Sequence, residues 1–300
     1  MPTPQESPHN RCQFALISNG RSPHNDNHQR ILAAAQSLNW QTHCFEHSAI
    51  AMHAGTPVLD NPVCSPVASF DLVWVLGLGA QHDFLDRAQI LSAVAPHKLV
   101  NSAQGMLSLH AKHLKLPYSP MSFSGNDADW LTGAARAHDR TGRWVVKPSA
   151  GSFGRGVQVA DTADELHQIL TTATKGGTYC VVQQFIDAIA AGETRTLVLN
   201  NRIIGSYLRI PDKAFLANLT QGAQAKVIEL SDSQRTQVLD VAAALAERGI
   251  RFAAIDMAFP HLIEVNVANP GGLATLAGLS PDLSDTTSTR LRDALATLIG

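Results

Sequence analysis

Asp256, Glu264 and Asn266 are the residues whose types and spacing most directly suggest chemistry. They lie in two apolar runs, 252–257 and 262–267, separated by a short turn. Glu264 and Asn266 are two residues apart, so on one strand they face the same side while Val265 faces the other. Asp256 can align across from them. Burying two acids without partners is costly. A hard divalent cation such as Mg²⁺, carrying a substrate phosphate, would satisfy their oxygens. The plainer alternative is a solvent-exposed sheet end paired to Arg209.

A second group lies upstream. Lys147 leaves the apolar run 144–147 and is followed by Pro148 and the Gly-rich segment 149–156, which includes Ser152, Phe153 and Gly154. A lysine there can reach phosphates while its stem packs on a sheet. Successive amides in a Gly-rich loop can form an anion-binding nest, and Phe153 could shield that anion from water. The alternative is a plain hairpin with a solvent-facing lysine. A Gly-rich loop alone is weak evidence; combined with a distant Asp/Glu/Asn set it is much stronger. Arg195 and Arg209 could neutralise a carboxylate or a phosphate formed on it, and Glu193 could orient one of them. No serine elbow and no assignable cysteine–histidine pair supports a protein nucleophile.

The elements that must position these groups follow from periodicity. Residues 12–18 read as a strand, 28–38 as a helix and 41–45 as a strand, which opens an α/β unit. The loop 19–27 after the first strand, with Arg21, His24 and Asn27, lies where such sheets often bind ligands. Residues 54–69, with three prolines, read as a loop. Strands are expected at 71–76 and 98–100, and helices at 84–94 and 107–116. A domain boundary is expected between Asn101 and Pro120. Beyond it, strands are expected at 144–147 and 157–159 around the Gly-rich turn, a helix at 162–170, a strand at 179–183, and a strand pair, 193–199 and 202–209, around Asn200-Asn201. Residues 213–226 read as a loop. A helix at 231–247 closed by Gly249 and a final helix at 287–298 complete the set.

Composition bounds the function classes. Three hundred residues, 45% hydrophobic and 16% charged, favour a folded chain of two or three domains over a disordered one. A formal net charge of -2 gives no global case for nucleic-acid binding. No run has transmembrane length, and the polar, proline-containing first ten residues do not resemble a signal peptide. Four dispersed cysteines make no close ligand pair, and Cys12 and Cys180 sit in apolar runs as buried thiols, so a reducing cytoplasm is the simplest expectation. Thirteen histidines include no His-Glu-x-x-His helix, which leaves zinc a minor reading.

Taken in order, the motifs resemble a known family. They are Lys-Pro before the Gly-rich loop, Val182-Gln183-Gln184-Phe185-Ile186, Gly192-Glu193-Thr194-Arg195, Leu208-Arg209-Ile210-Pro211, then Asp256 and Glu264-Val265-Asn266. The chain resembles the ATP-grasp superfamily, most of all bacterial glutathione synthetases and the related ribosomal-protein glutamate ligases. The resemblance implies an α/β ATP-grasp fold with an N-terminal Rossmann-like pre-ATP-grasp domain and a two-part nucleotide-binding region. The implied domains are 1–110 on the substrate side, 111–190 as the central lid subdomain, and 191–300 with the metal. It implies ATP and Mg²⁺ as cofactors. Lys112 and Lys147 match the nucleotide lysines, Gln183, Gln184, Phe185 and Ile186 the adenine hinge, and Glu193 an acidic position near nucleotide and substrate. Asp256, Glu264 and Asn266 match the magnesium ligands, and Arg195 and Arg209 the basic residues around the reacting carboxylate.

The implied activity is a carboxylate–amine ligase acting through an acyl phosphate, joining γ-glutamylcysteine to glycine in the glutathione synthetase case. Its partners would be small-molecule acid and amine substrates, with no nucleic acid and no membrane, in a homodimer or homotetramer. Three stretches depart from the family pattern. Gly77-Leu78-Gly79-Ala80 replaces a basic segment, with His82 or Arg21 as candidate substitutes. No arginine stands near Leu216, and Asn269-Pro270-Gly271-Gly272 differs from the usual acceptor-side segment. All three are expected to meet substrate, so a related ligase with a different amino-acid or peptide substrate is the alternative. A non-catalytic nucleotide-binding protein is a further one.

Overall fold

The computed structural model of the 300-residue chain describes residues 11–19, 25–60, 63–77, 79–139, 142–149, 154–210 and 224–299. The expectations for Arg21, His24, Leu78, Ser152, Phe153 and Leu216 fall outside them.

The N-terminal part alternates strand and helix. β1 (Gln13–Ile17) leads through α1 (Asn27–Ser37) to β2 (Gln41–Phe45). β3 (Ile50–His53), β4 (Thr56–Asp60) and β5 (Cys64–Pro66) follow, then β6 (Leu72–Val75), α2 (Phe84–Ser92) and α3 (Ala103–His110). β2, β1 and β6 form a parallel sheet in that order, its strands apolar on both faces at β1 and β6, as burial under helices requires. Cys180 is buried, but Cys12 is only partly so.

Three expectations are corrected here. Residues 54–69 are largely an antiparallel sheet, β3-β4-β5, and not a loop. Proline is tolerated because Pro57 pairs only toward β3, ahead of the β4 residues that meet β5. Residues 98–100 form no strand. A 3₁₀ turn begins at Pro96, and only Leu99 bridges to Val73. The helix expected at 107–116 is α3, four residues earlier, because Ser102 caps it by accepting from the Gly105 N–H and Lys112 at φ 62° ends it.

The remainder contains two further sheets. β7 (Ser122–Gly125), α4 (Ala128–His138), β8 (Trp144–Pro148), β9 (Gln158–Ala160), α5 (Ala163–Ala173) and β10 (Cys180–Gln184) build a four-stranded antiparallel sheet ordered β7-β10-β8-β9. β7 and α4 had no counterpart in the periodicity. Their sheet has its own core, with Leu131, Trp144, Val146, Leu166 and Val182.

β11 (Glu193–Leu199), β12 (Arg202–Ile210), β13 (Gln224–Val227), α6 (Asp232–Ala246), β14 (Phe252–Ala258), β15 (His261–Asn266), α7 (Leu273–Leu279) and α8 (Pro281–Ala296) complete the chain. Their sheet runs β13-β12-β11-β14-β15. The β11–β12 turn uses positive φ at Asn200 and Asn201, residues that tolerate it. Residues 224–226, expected in a loop, belong to β13. The final helix starts at Pro281, six residues before the expected position, because Ser280 caps it. No helix among the described residues is long and apolar enough to cross a membrane.

A shared core and a buried side chain are two of the joints that tie the N-terminal sheet to the five-stranded one. One is a shared core in which Phe14, Leu16 and Trp74 meet Leu197, Leu199 and Phe252 under α1, α7 and α8. The other is Asn101, 2% exposed. Its Nδ2 donates to Phe252 O and Val267 O, each at 2.7 Å, and its Oδ1 accepts from the N–H groups of Arg251 and Phe252. Leucine would leave several buried backbone groups unpaired, so Asn101→Leu is expected to lower stability by at least about 3 kcal/mol. Urea unfolding checks this, and a loss under about 1 kcal/mol contradicts it.

Candidate active site

The register of four strands gathers the polar residues into one row. Arg209 on β12 lies opposite Glu193 on β11, Arg195 on β11 opposite Asp256 on β14, and Asp256 opposite Glu264 on β15. The β14–β15 register shifts between Asp256 and Met257, at the row itself. Irregularities of this kind re-aim side chains beside sites.

Asp256 is the centre. It is 1% exposed, and Arg195 grips it with two bonds, Nε to Oδ1 at 2.8 Å and Nη2 to Oδ2 at 2.6 Å. Arg209 Nη2 reaches Oδ2 at 2.9 Å and also pairs with buried Glu193. Asn266 Nδ2 donates to Asp256 Oδ2 at 3.2 Å. Burial works to raise the Asp256 carboxyl pKa, but the two guanidiniums outweigh it and hold the group below the usual carboxylate range. Burial also opposes the Arg195 charge, and Asp256 more than restores it. Arg209 Nε is buried without a partner among the described residues, a donor left for an anion.

Two lysines approach from the other side. Lys112 Nζ lies 3.0 Å from Glu264 Oε1. Lys147 Nζ donates to Gln183 Oε1 at 2.5 Å and to Ile263 O at 3.3 Å, joining the four-stranded sheet to β15. Burial pushes the Lys147 ammonium down to about 8; Glu264 and Asp256 oppose the fall and Lys112 adds to it. Three carboxylates, Glu193, Asp256 and Glu264, thus face four cations, Lys112, Lys147, Arg195 and Arg209. The excess of positive charge suits a phosphate-bearing ligand.

The remaining expected residues distribute as follows. Gln183 and Gln184 end β10, with Phe185 and Ile186 next to them. The N–H groups of Gln184 and Phe185 donate to Met121 O and Arg143 O, so neither is free to serve a base. The Arg143 guanidinium stacks 4.0 Å over the Phe185 ring. Gly154 turns at φ 68°. His82 is exposed beside Asp83, whereas Arg87 is buried and donates to Ala80 O at 2.8 Å. A Cβ at Gly79 would fall 2.5 Å from the Arg87 guanidinium, so the glycine makes room for it. Arg87 is therefore a cation held against Gly79 and Ala80.

Sequence reasoning missed His110, whose pKa is lowered by burial and by Lys112; it did single out the loop after β15, 269–272, but not the contacts that hold it. Arg195 Nη1 donates to Gly271 O at 3.2 Å, while Asn27 on α1 donates to Asn269 Oδ1 and Pro270 O. The loop after β1 marks Asn27 as a candidate, but its side-chain bonds to residues more than 240 positions away have no local signal.

Among the described residues no three of His, Cys, Asp and Glu cluster as a metal site. Asp256, Glu264 and Asn266 still offer hard oxygen donors on adjacent strands. Two carboxylates are what Mg²⁺ takes from a protein when phosphates and water supply its other ligands, so the residues fit that ion.

Arg209→Met would strand the Glu193 charge in the interior. A loss of about 3–5 kcal/mol is expected, with Glu193→Gln in the same chain recovering at least half of it. Denaturant unfolding of the double-mutant cycle tests this, and strictly additive losses refute the coupling.

Residues 131–280 match the family described as prokaryotic glutathione synthetase, ATP-grasp domain. Glutathione synthetase of Bradyrhizobium diazoefficiens is 32% identical over 72% of this chain and 67% of its own. That of Xanthomonas campestris pv. campestris is 32% identical over 63% of this chain, and the match spans only 61% of that relative's length. Among solved structures, D-cycloserine synthetase DcsG superposes with a TM-score of 0.65 at 17% identity, covering 96% of this chain and 99% of that one. The ATP-grasp ligase PsnB, solved with a minimal precursor, gives 0.64 at 17% identity over the same shares. The fold is thus the α/β ATP-grasp fold, and the chain belongs to the ATP-grasp superfamily, in the family described as the ATP-grasp domain of prokaryotic glutathione synthetase.

Proposed function

We propose that this chain is an ATP- and Mg²⁺-dependent carboxylate–amine ligase whose substrates differ from γ-glutamylcysteine and glycine. The observation that carries the reading is the convergence of Lys112, Lys147, Arg195 and Arg209 on Asp256 and Glu264. These groups come from two different sheets and meet at one place suited to phosphates and an organic acid.

In this reading a substrate carboxylate oxygen attacks the γ-phosphorus of ATP, and ADP departs. An amine nitrogen then attacks the acyl carbon, phosphate departs, and the amine loses a proton to leave an amide. Lys147 and Lys112 neutralise the nucleotide phosphates, and Arg195 and Arg209 hold the developing charge on the transferred group. Asp256 keeps both guanidiniums aimed before substrate arrives. When bound, Mg²⁺ supplies charge neutralisation across the phosphates, with Asp256, Glu264 and Asn266 as its protein donors. No protein nucleophile is needed.

The different substrate pair is supported by where the chain departs from the family pattern. Ala80 is held by Arg87, which is already paired to Asp83 at 2.6 Å, and residues 269–271 are engaged by Asn25, Asn27 and Arg195. Structural neighbours whose ligands are peptides, such as macrocyclase MdnC bound with precursor peptide MdnA, share the fold at a TM-score of 0.61 and 14% identity.

Release of ADP from Mg-ATP across a panel of amino acids, dipeptides and amines is the direct test. Turnover is expected with a pair other than γ-glutamylcysteine plus glycine. Glutathione as the preferred product refutes the substrate claim, and the absence of ADP throughout refutes the ligase. Lys147→Ala and Glu264→Ala should each lower ADP formation at least about hundredfold; near-normal rates in either contradict its role.

The depressed Lys147 pKa gives a second test. The ammonium is partly deprotonated above about pH 8, and bound phosphates favour its charged form. MgADP binding at pH 8.5 should therefore take up protons, and uptake should vanish below about pH 7. Calorimetry in two buffers of different ionisation heat reads this, with Lys147→Arg expected to abolish it.

A further inference from the structure

α1 and α8 do not close completely against each other. Between them lies a cavity of about 490 Å³, lined by none of the residues assigned to the ligase chemistry. A volume of that order holds a small organic ligand. Part of the lining is apolar: Ala34 of α1 is 7% exposed and Leu291 of α8 is 1% exposed. Thr287, one turn before Leu291, lines the same cavity and is 2% exposed. A helical hydroxyl commonly returns to the carbonyl four residues back, as Thr236 does to Asp232 O and Ser288 to Ser284 O. The Thr287 hydroxyl makes no hydrogen bond among the described residues, and a polar group so buried is rarely left without one.

The charged groups say what kind of ligand fits. Each helix contributes one guanidinium to the lining, Arg30 from α1 and Arg292 from α8. Arg30 gives its Nε to Asp26 at 2.5 Å, and Arg292 gives Nε and Nη2 to Asp293 at 3.0 and 2.7 Å. Both Nη groups of Arg30 and Nη1 of Arg292 make no bond among the described residues. Each guanidinium is thus fixed along one edge and keeps donors on another. Asp26, the one carboxylate in the lining, is already engaged by Arg30, and Asp293 stands outside it. The uncommitted groups named here are therefore all donors, most of them on cations. Carboxylate and phosphate oxygens match such edges, whereas a cationic ligand would meet like charge.

We propose that the cavity between α1 and α8 binds a small ligand carrying a carboxylate or phosphate on an apolar body, held by Arg30, Arg292 and the Thr287 hydroxyl. The proposal goes beyond the ligase reading and does not depend on it. Its place in the fold gives occupancy a consequence, because a ligand there ties the first helix to the last across their shared core. α1 begins at Asn27, which is bonded to Asn269 and Pro270, and the next carbonyl, Gly271 O, accepts from Arg195. The cavity is therefore linked through α1 to the cationic row.

The test titrates benzoate, its neutral near-isostere benzamide, and phenyl phosphate calorimetrically into the full chain. At least one of the two oxyanions is expected to bind saturably and about tenfold tighter than benzamide. Whichever binds tighter identifies carboxylate or phosphate as the group recognised. The cationic row also attracts oxyanions, so Arg292→Gln locates the site. Arg292 is partly exposed and pairs with its own neighbour Asp293, so the variant is expected to fold normally. Oxyanion affinity should fall about tenfold in it, and about threefold in Thr287→Val. Failure of both oxyanions to bind saturably at millimolar concentration overturns the proposal, and so does failure of both to exceed benzamide. Those two outcomes are read on the unaltered chain. Oxyanion binding that is unchanged in Arg292→Gln overturns it as well, since the ligand would then sit elsewhere.

Discussion

The site depends on a carboxylate that could not be buried alone. Asp256 has almost no contact with solvent, and its charge is tolerated because two guanidiniums from neighbouring strands surround it. The dependence runs both ways. Without Asp256, Arg195 and Arg209 would repel each other across β11 and β12, and neither would be held in one orientation. Preorganisation of this kind leaves little reorganisation to be done when charge develops on a substrate.

Antiparallel pairing makes the cluster economical in backbone. Residues opposite one another on adjacent strands have side chains on the same face and close together. Four strands therefore deliver Arg209, Glu193, Arg195, Asp256 and Glu264 to one row without a long loop. Lys147 comes from a different sheet with a separate core, and its bond to Ile263 O is one of the links between the two. The cationic surplus is thus assembled by docking as well as by strand register.

Much of this row was legible because strand periodicity and chemistry coincide. The alternation Glu264-Val265-Asn266 declares a face; the Asn200-Asn201 turn sets the strand pair, but a register shift between Leu197 and Val198 is what brings Arg209 opposite Glu193. Lys112 and Lys147 carried a family pattern. What stayed hidden had no local expression. Asn27 stands in the candidate loop after β1, but its bonds to residues 269 and 270 leave no trace in the local sequence. Prolines at 57 and 66 disguised a small sheet as a loop, since each strand is too short for an alternation to register. α3 was displaced because its apolar residues pointed to the later turns, while the cap at Ser102 set where the helix begins. The last three residues of the 213–226 stretch, read as loop, belong to β13, an edge strand with little apolar content.

The shared core beneath α1 has a consequence for how the chain is made. Phe14, Leu16, Ile31 and Ala35 bury themselves partly against Leu291, Ala294 and Leu295 of α8. On the ribosome, about 250 further residues must be added after α1 before α8 exists, which takes roughly ten seconds to a minute at translation rates of about 5–20 residues per second. Over that interval the apolar face of the first β-α unit has no permanent cover. The nascent chain therefore offers a greasy surface to chaperones early, and native closure of the N-terminal sheet waits for the last helix to emerge.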